Sequence, residues 1–121
     1  MTDAYRVLVV EDEMMVAMLV EDMLVEMGYR VVGPAYRLSD GLRLAQSETI
    51  DFAVLDVNLN GARSFPIAAV LVDRGIPFVF ATGYGYSGVE LEYPGVPVIS
   101  KPFTLGRLND ALTKAEEVRE T

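Results

Sequence analysis

The sequence predicts a single α/β domain built on a doubly wound parallel sheet. Short apolar runs rich in β-branched residues, the pattern of strands buried on both faces, alternate with longer segments of helical spacing. Glycine and proline punctuate the junctions between them, and a polar residue able to do chemistry follows most of the apolar runs. A chain of 121 residues, 51% of them apolar, suits one hydrophobic core and argues against global disorder. No internal repeat, linker or low-complexity segment divides it, so residues 1–121 are expected to form one domain.

Each element can be justified in order. Val7-Leu8-Val9-Val10 reads as a buried first strand. Glu13 to Met27 contains no Gly or Pro and reads as a helix, stopped by Gly28. Arg30-Val31-Val32 is a second strand broken by Gly33-Pro34, and Ser39 is placed to cap a helix carrying Leu42, Leu44 and Ala45. Phe52 to Leu55 gives a third strand ending at Asp56. The Asn60-Gly61 turn signal follows, and then a helix with Ile67, Val70 and Leu71 on one face, up to Arg74-Gly75. Pro77 to Ala81 is a fourth strand and Val96 to Ser100 a fifth. Thr104 can cap a last helix on which Leu105, Leu108, Leu112 and Ala115 recur. Between Thr82 and Gly95 the glycines are so dense that any fourth helix must be short, spanning about Ser87 to Leu91.

Composition excludes several chemistries. With no cysteine there is no disulfide, thiolate metal site or Cys nucleophile. With no histidine there is no Ser–His–Asp triad and no phosphohistidine on this chain. Ten basic against eighteen acidic residues, net −8, oppose nucleic-acid binding through clustered cations. The N-terminus lacks a targeting signal, and the longest apolar stretch, Met14 to Val20, is far short of the roughly 20 residues that cross a bilayer. A cytoplasmic protein with neither nucleic-acid nor membrane partners is expected. Any metal must be held by oxygen, which favours magnesium, calcium or manganese.

In a parallel α/β sheet, ligands bind beyond the carboxyl ends of the strands, at the switch point of the topology. Glu11 and Asp12 follow the first strand, Asp56 the third, Thr82 the fourth and Lys101 the fifth. Carboxylates crowded at one edge repel unless a cation neutralises them. Magnesium suits such a site, since it takes one or two carboxylates, keeps several waters and accepts phosphoryl oxygens. An ionised Asp there, opposed by a Lys, can attack phosphorus while the cations neutralise the transferring oxygens.

The segments Val7-Leu8-Val9-Val10-Glu11-Asp12-Glu13, Ala53-Val54-Leu55-Asp56-Val57-Asn58-Leu59-Asn60-Gly61, Phe80-Ala81-Thr82-Gly83-Tyr84 and Ser100-Lys101-Pro102-Phe103 resemble, in order, the receiver domain of bacterial two-component response regulators. The resemblance covers essentially the whole chain. It implies a flavodoxin-like (βα)5 fold with strand order 2-1-3-4-5 and makes Asp56 the phosphoacceptor. It makes Asp12 a direct Mg2+ ligand, Glu11 a ligand through water and the Asn58 backbone carbonyl a third protein ligand. Thr82 becomes the switch hydroxyl, Lys101 the phosphoryl-pairing cation, and Lys101–Pro102 a cis bond. The donor is then a sensor histidine kinase or a histidine phosphotransfer protein, and the chain is no enzyme beyond promoting its own phosphorylation and dephosphorylation.

Two departures stand out. Val98 takes the place, three residues before the Lys, where the family usually carries a switch Tyr or Phe. Phe80-Ala81-Thr82-Gly83-Tyr84 resembles an atypical receiver subgroup, common in alphaproteobacteria, in which a Gly-rich loop replaces much of the fourth helix. Tyr84 and Tyr86 in that loop are either ordinary surface aromatics or mobile reporters of phosphorylation. On the first helix, Val16, Leu19, Val20, Met23 and Met27 are expected in the core. Met14, Met15 and Met18, with Val25, fall toward the outer face. Those three methionines and Phe103 are candidates for partner docking, against the plainer reading of scattered exposed apolar side chains. An interaction module that works without phosphorylation is the alternative function. A haloacid dehalogenase-type phosphatase would need Asp-x-Asp after the first strand, and a flavodoxin would need a phosphate loop there; Glu11-Asp12-Glu13 supplies neither.

Overall fold

A computed structural model describes residues 4–83 and 89–120 of the chain. The chain runs β1 (Arg6–Val10), α1 (Met14–Glu26), β2 (Arg30–Ala35), α2 (Leu38–Ser47) and β3 (Phe52–Asp56). A short hairpin follows, β4 (Asn58–Leu59) and β5 (Ala62–Arg63), and then α3 (Phe65–Asp73), β6 (Phe78–Thr82), α4 (Val89–Glu92), β7 (Val98–Ser100) and α5 (Leu105–Glu120). Five strands form one sheet in the order β2-β1-β3-β6-β7, and every pair in it is parallel. With the hairpin set aside, this is the flavodoxin-like order 2-1-3-4-5.

Strand residues alternate between two cores, as a period of two requires. Leu8, Val10, Ala53, Leu55, Phe78 and Phe80 point to a core closed by α2, α3 and α4. Val7, Val9, Phe52, Val54, Val79 and Ala81 point to the other, closed by α1 and α5. The fully buried strands read as unbroken apolar runs because both faces are covered.

Several boundaries differ from the sequence reading, each for a local reason. β2 continues through Gly33-Pro34 to Ala35, because a register shift against β1 absorbs the proline. The helix α2 starts at Leu38 after Arg37, and Ser39 lies inside its first turn instead of capping it. β7 starts only at Val98, and α4 spans Val89–Glu92, with Ser87 and Gly88 outside the described residues. Thr104 does cap α5, its Oγ1 accepting the Arg107 N–H at 3.2 Å. In α1 the fully buried positions are Ala17, Val20 and Leu24, whereas Leu19 is 50% exposed and outside the core. That helix is apolar almost all round, so periodicity could not fix its phase; the small Ala17 selects the face that lies closest to the sheet.

Candidate functional site

The strand order reverses between β1 and β3, and the chemistry-bearing side chains gather at the carboxyl ends of these neighbours. Glu11 leaves β1 buried, Asp56 ends β3 buried, and Thr82 ends β6 buried. Lys101 follows β7, and its N–H donates to the Thr82 carbonyl at 2.8 Å, which registers the two positions against each other. One edge of the sheet thus carries all five residues singled out in the sequence. The Lys101–Pro102 peptide is cis, as is Gly33–Pro34.

Lys101 Nζ stands 2.6 Å from Glu11 Oε1 and 3.1 Å from Asp56 Oδ2, so one ammonium bridges two carboxylates. Glu11 is held from its other oxygen as well, which accepts the Glu13 N–H at 3.1 Å. Asp12 Oδ2 accepts the Asn60 N–H at 2.9 Å. Asp56 Oδ1 accepts the Asn58 N–H at 3.4 Å, a long bond that leaves this oxygen available. Carboxylate oxygens of Glu11, Asp12 and Asp56 lie within 4.8 Å of one another. Asp12 and Asp56 border an open cleft of about 480 Å3 also lined by Asn58, Asn60 and Lys101.

Electrostatics follow from this crowding. Burial first, then the hydrogen bond and charge of Glu11, push Asp56 up to about 7 against the opposing pull of Lys101. Burial also works against charge on Asp12, but it is outweighed by the Asn60 N–H and the neighbouring carboxyl groups, and Asp12 is held below its ordinary value. Lys101 is raised: desolvation, which would lower it, loses to Glu11 and Asp56. A divalent cation fits this donor set, since the donors are all oxygen, clustered, and short of positive charge by more than Lys101 provides. Glu11, Asp12 and Asp56 are the residues that could hold it.

The other residues named from sequence fall in two groups. Met14, Met15 and Met18 are exposed on α1, at 61%, 84% and 54%. Phe103 is instead a core residue, 8% exposed, packed with Leu108 and Leu112. It lines a cleft of about 330 Å3 between α1 and Lys101, and its burial removes it from the candidate docking residues. Tyr84 and Tyr86 lie outside the described residues. The Asn58 carbonyl sits in the loop directly after Asp56, where β4 begins.

Sequence reasoning missed two features. Tyr93 packs its ring 5.4 Å from Phe65, 6.0 Å from Phe78 and 5.6 Å from Phe80. Its hydroxyl donates to the Phe65 carbonyl at 3.3 Å. The only signal was a tyrosine next to Pro94 in a loop, which carries no period. The β4–β5 hairpin was also missed, although Asn-Gly is its usual turn; its strands are too short to alternate.

A family model described as the response regulator receiver domain matches residues 7–113. The solution structure of SdrG from Sphingomonas melonis Fr1 is similar over 96% of this chain and 99% of that one, with 38% identity and a TM-score of 0.86. A second, the beryllofluoride-activated conformation of SdrG from Pseudomonas melonis Fr1, is 39% identical, covers 94% of this chain and 98% of that one, and has a TM-score of 0.77. The transcriptional regulatory protein PdtaR of Mycobacterium tuberculosis is 27% identical over 91% of this chain, which spans 56% of that protein. The chain thus spans about half the length of the curated relatives it matches. With its strand order, its acidic edge and a family match across nearly its whole length, this chain belongs to the response regulator receiver domain family.

Proposed function

We propose that the chain takes a phosphoryl group from a phosphohistidine of a partner protein onto Asp56, in a magnesium-dependent step. The observation that carries this reading is the buried Asp56 carboxylate, held 3.1 Å from Lys101 Nζ beside Glu11 and Asp12. An Asp56 oxygen attacks phosphorus, the P–N bond to the donor imidazole breaks, and its electron pair stays on the imidazole nitrogen. Lys101 pairs with the phosphoryl oxygens as they arrive, and Thr82, one residue position across the sheet edge, supplies a hydroxyl to them. A bound Mg2+ supplies charge neutralisation at the same oxygens. Hydrolysis later frees Asp56, which makes the chain a substrate of its own pocket and not an enzyme on others.

The donor is a sensor histidine kinase or histidine phosphotransfer protein, and Met14, Met15 and Met18 form the face it meets. Three thioethers sit above half exposure on the helix that begins beside Glu13, a residue at the rim of the phosphorylation cleft. Output passes through protein contacts at the loop after β6 and the face formed by β7 and α5. The test is treatment with beryllofluoride or a small phosphodonor plus Mg2+, comparing the native chain with Asp56→Asn. An adduct on the native chain alone is expected. No adduct on either would overturn the reading in favour of an interaction module that works without phosphorylation.

A further inference from the structure

Asp56 is followed at once by an antiparallel two-stranded hairpin, Asn58 paired with Arg63 and Leu59 with Ala62. Its turn needs left-handed backbone at both central positions, and Asn60 (φ 51) and Gly61 (φ 89) supply it. This geometry aims the Asn60 N–H out of the turn and onto Asp12 Oδ2 at 2.9 Å, across a sequence separation of 48 residues. The hairpin is anchored at its other end, where the Ser64 N–H donates to the Val57 carbonyl at 3.0 Å and the Arg63 guanidinium lies over the Phe65 ring. It is therefore a short braced arm between the end of β3 and the start of α3, whose tip rests on one carboxylate.

We propose that the Asn60-Gly61 turn is a positioning element for the cation site: it fixes the rotamer of Asp12 by donating to Oδ2, so that the carboxylate is already oriented for a divalent cation. The inference rests on the magnesium reading above and adds a residue pair to it. A carboxylate in the loop after β1 loses rotamer freedom when it takes a ligand; the turn removes that freedom beforehand. The side chain of Asn60 is not needed, only its N–H and its left-handed backbone. Cation occupancy of Asp12 and order in the hairpin are consequently coupled, and each favours the other.

The experiment titrates the purified full chain with MgCl2 while following backbone amide NMR shifts and amide hydrogen exchange. In Gly61→Val the new Cβ itself meets no atom within 4 Å, but a β-branched residue cannot hold the turn's φ of 89°. Loss of a group that orients a ligand typically lowers metal affinity about 10- to 100-fold. Gly61→Val is expected to bind Mg2+ about tenfold more weakly, and Asn60→Gly, which keeps both N–H and backbone, within about twofold of the native chain. In the native chain, Mg2+ should shift the Asn60 amide and slow its exchange. If the native chain binds Mg2+ and Gly61→Val binds it equally well, or if the Asn60 amide ignores Mg2+, the positioning role is overturned while the phosphoacceptor reading stands. If the native chain binds no Mg2+ at all, both fail. The exchange measurement needs no variant, so the inference stays open to refutation even if Gly61→Val does not fold.

Discussion

Lys101 serves two carboxylates at once, and the shorter contact goes to Glu11, not to Asp56. Burial first, then the hydrogen bond and charge of Glu11, raise Asp56 to about 7 from an ordinary 3.8, and the more distant Lys101 offsets only part of that. A carboxyl raised on folding binds its proton more tightly in the folded chain. Its cost is absent below the unfolded value, grows as pH climbs from about 4, and is complete above about 7. In the absence of divalent cations, Asp56→Asn should therefore stabilise the protein, more at pH 8 than at pH 5. Because solvent reaches part of this carboxylate, the gain is discounted to on the order of 1 kcal/mol, or roughly 4 °C in melting temperature. Thermal unfolding of both proteins in EDTA at the two pH values checks this; an equal difference at both would contradict it. At this scale the sequence was informative about identity and silent about pairing. Residue type and place after a strand brought out Glu11, Asp12, Asp56, Thr82 and Lys101. Which carboxylate Lys101 prefers depends on ångström-scale geometry that no pattern encodes.

The helices show where local physics holds the elements in place. Arg74, at the end of α3, reaches across to the C-terminus of α2 and donates from Nη1 to the carbonyls of Ala45 at 2.6 Å and Glu48 at 2.9 Å. These are carbonyls that α2 leaves without helical partners, and a cation there also suits the helix dipole. Arg74→Ala should cost about 1 kcal/mol of stability, read by urea unfolding, with the acidic cleft around Asp56 untouched. The same two helices approach closely because α2 carries Gly41, where an added Cβ would lie 2.6 Å from Ile67 Cδ1. In α1, the outward methionines belong to a helix whose inner face is already filled by Ala17, Val20 and Leu24. Replacing Met14, Met15 and Met18 with Ser should slow transfer from a phosphohistidine donor about tenfold and leave labelling by a small phosphodonor unchanged; parallel timed labelling separates the two. Equal slowing of both would remove the docking role. Strands were legible because each is an apolar run between breakers. The phase of α1 was not, because a helix with apolar residues on every side gives periodicity nothing to grip. The aromatic group around Tyr93 was equally hidden, since its members come from α3, β6 and the end of α4 and meet only in the folded chain.

Across the whole molecule, a net charge of −8 on 121 residues opposes compaction. Monovalent salt shortens the range of that repulsion, from about 30 Å at 0.01 M to about 8 Å at 0.15 M. Raising NaCl across this range in EDTA should raise the melting temperature by roughly 2–4 °C, as scanning calorimetry can record, and a fall would show that the pairs around Lys101 dominate the response. The two-sided placement of helices was the part of the architecture most legible in sequence, since unbroken apolar strands demand cover on both faces.

The ends of the sheet have a consequence of a different kind. An open parallel sheet exposes two edges, and bare edges recruit strands from other molecules. Here the β2 edge carries Pro34, which has no N–H to offer, beside a break in register that bends the template. The opposite edge, β7, presents just three residues, too few for an incoming strand to hold. Short runs such as Val7-Leu8-Val9-Val10, which would pair readily if bared, lie in the sheet interior instead of at either edge. The same irregularities that blurred its strand boundaries leave each edge a poor template for an added strand.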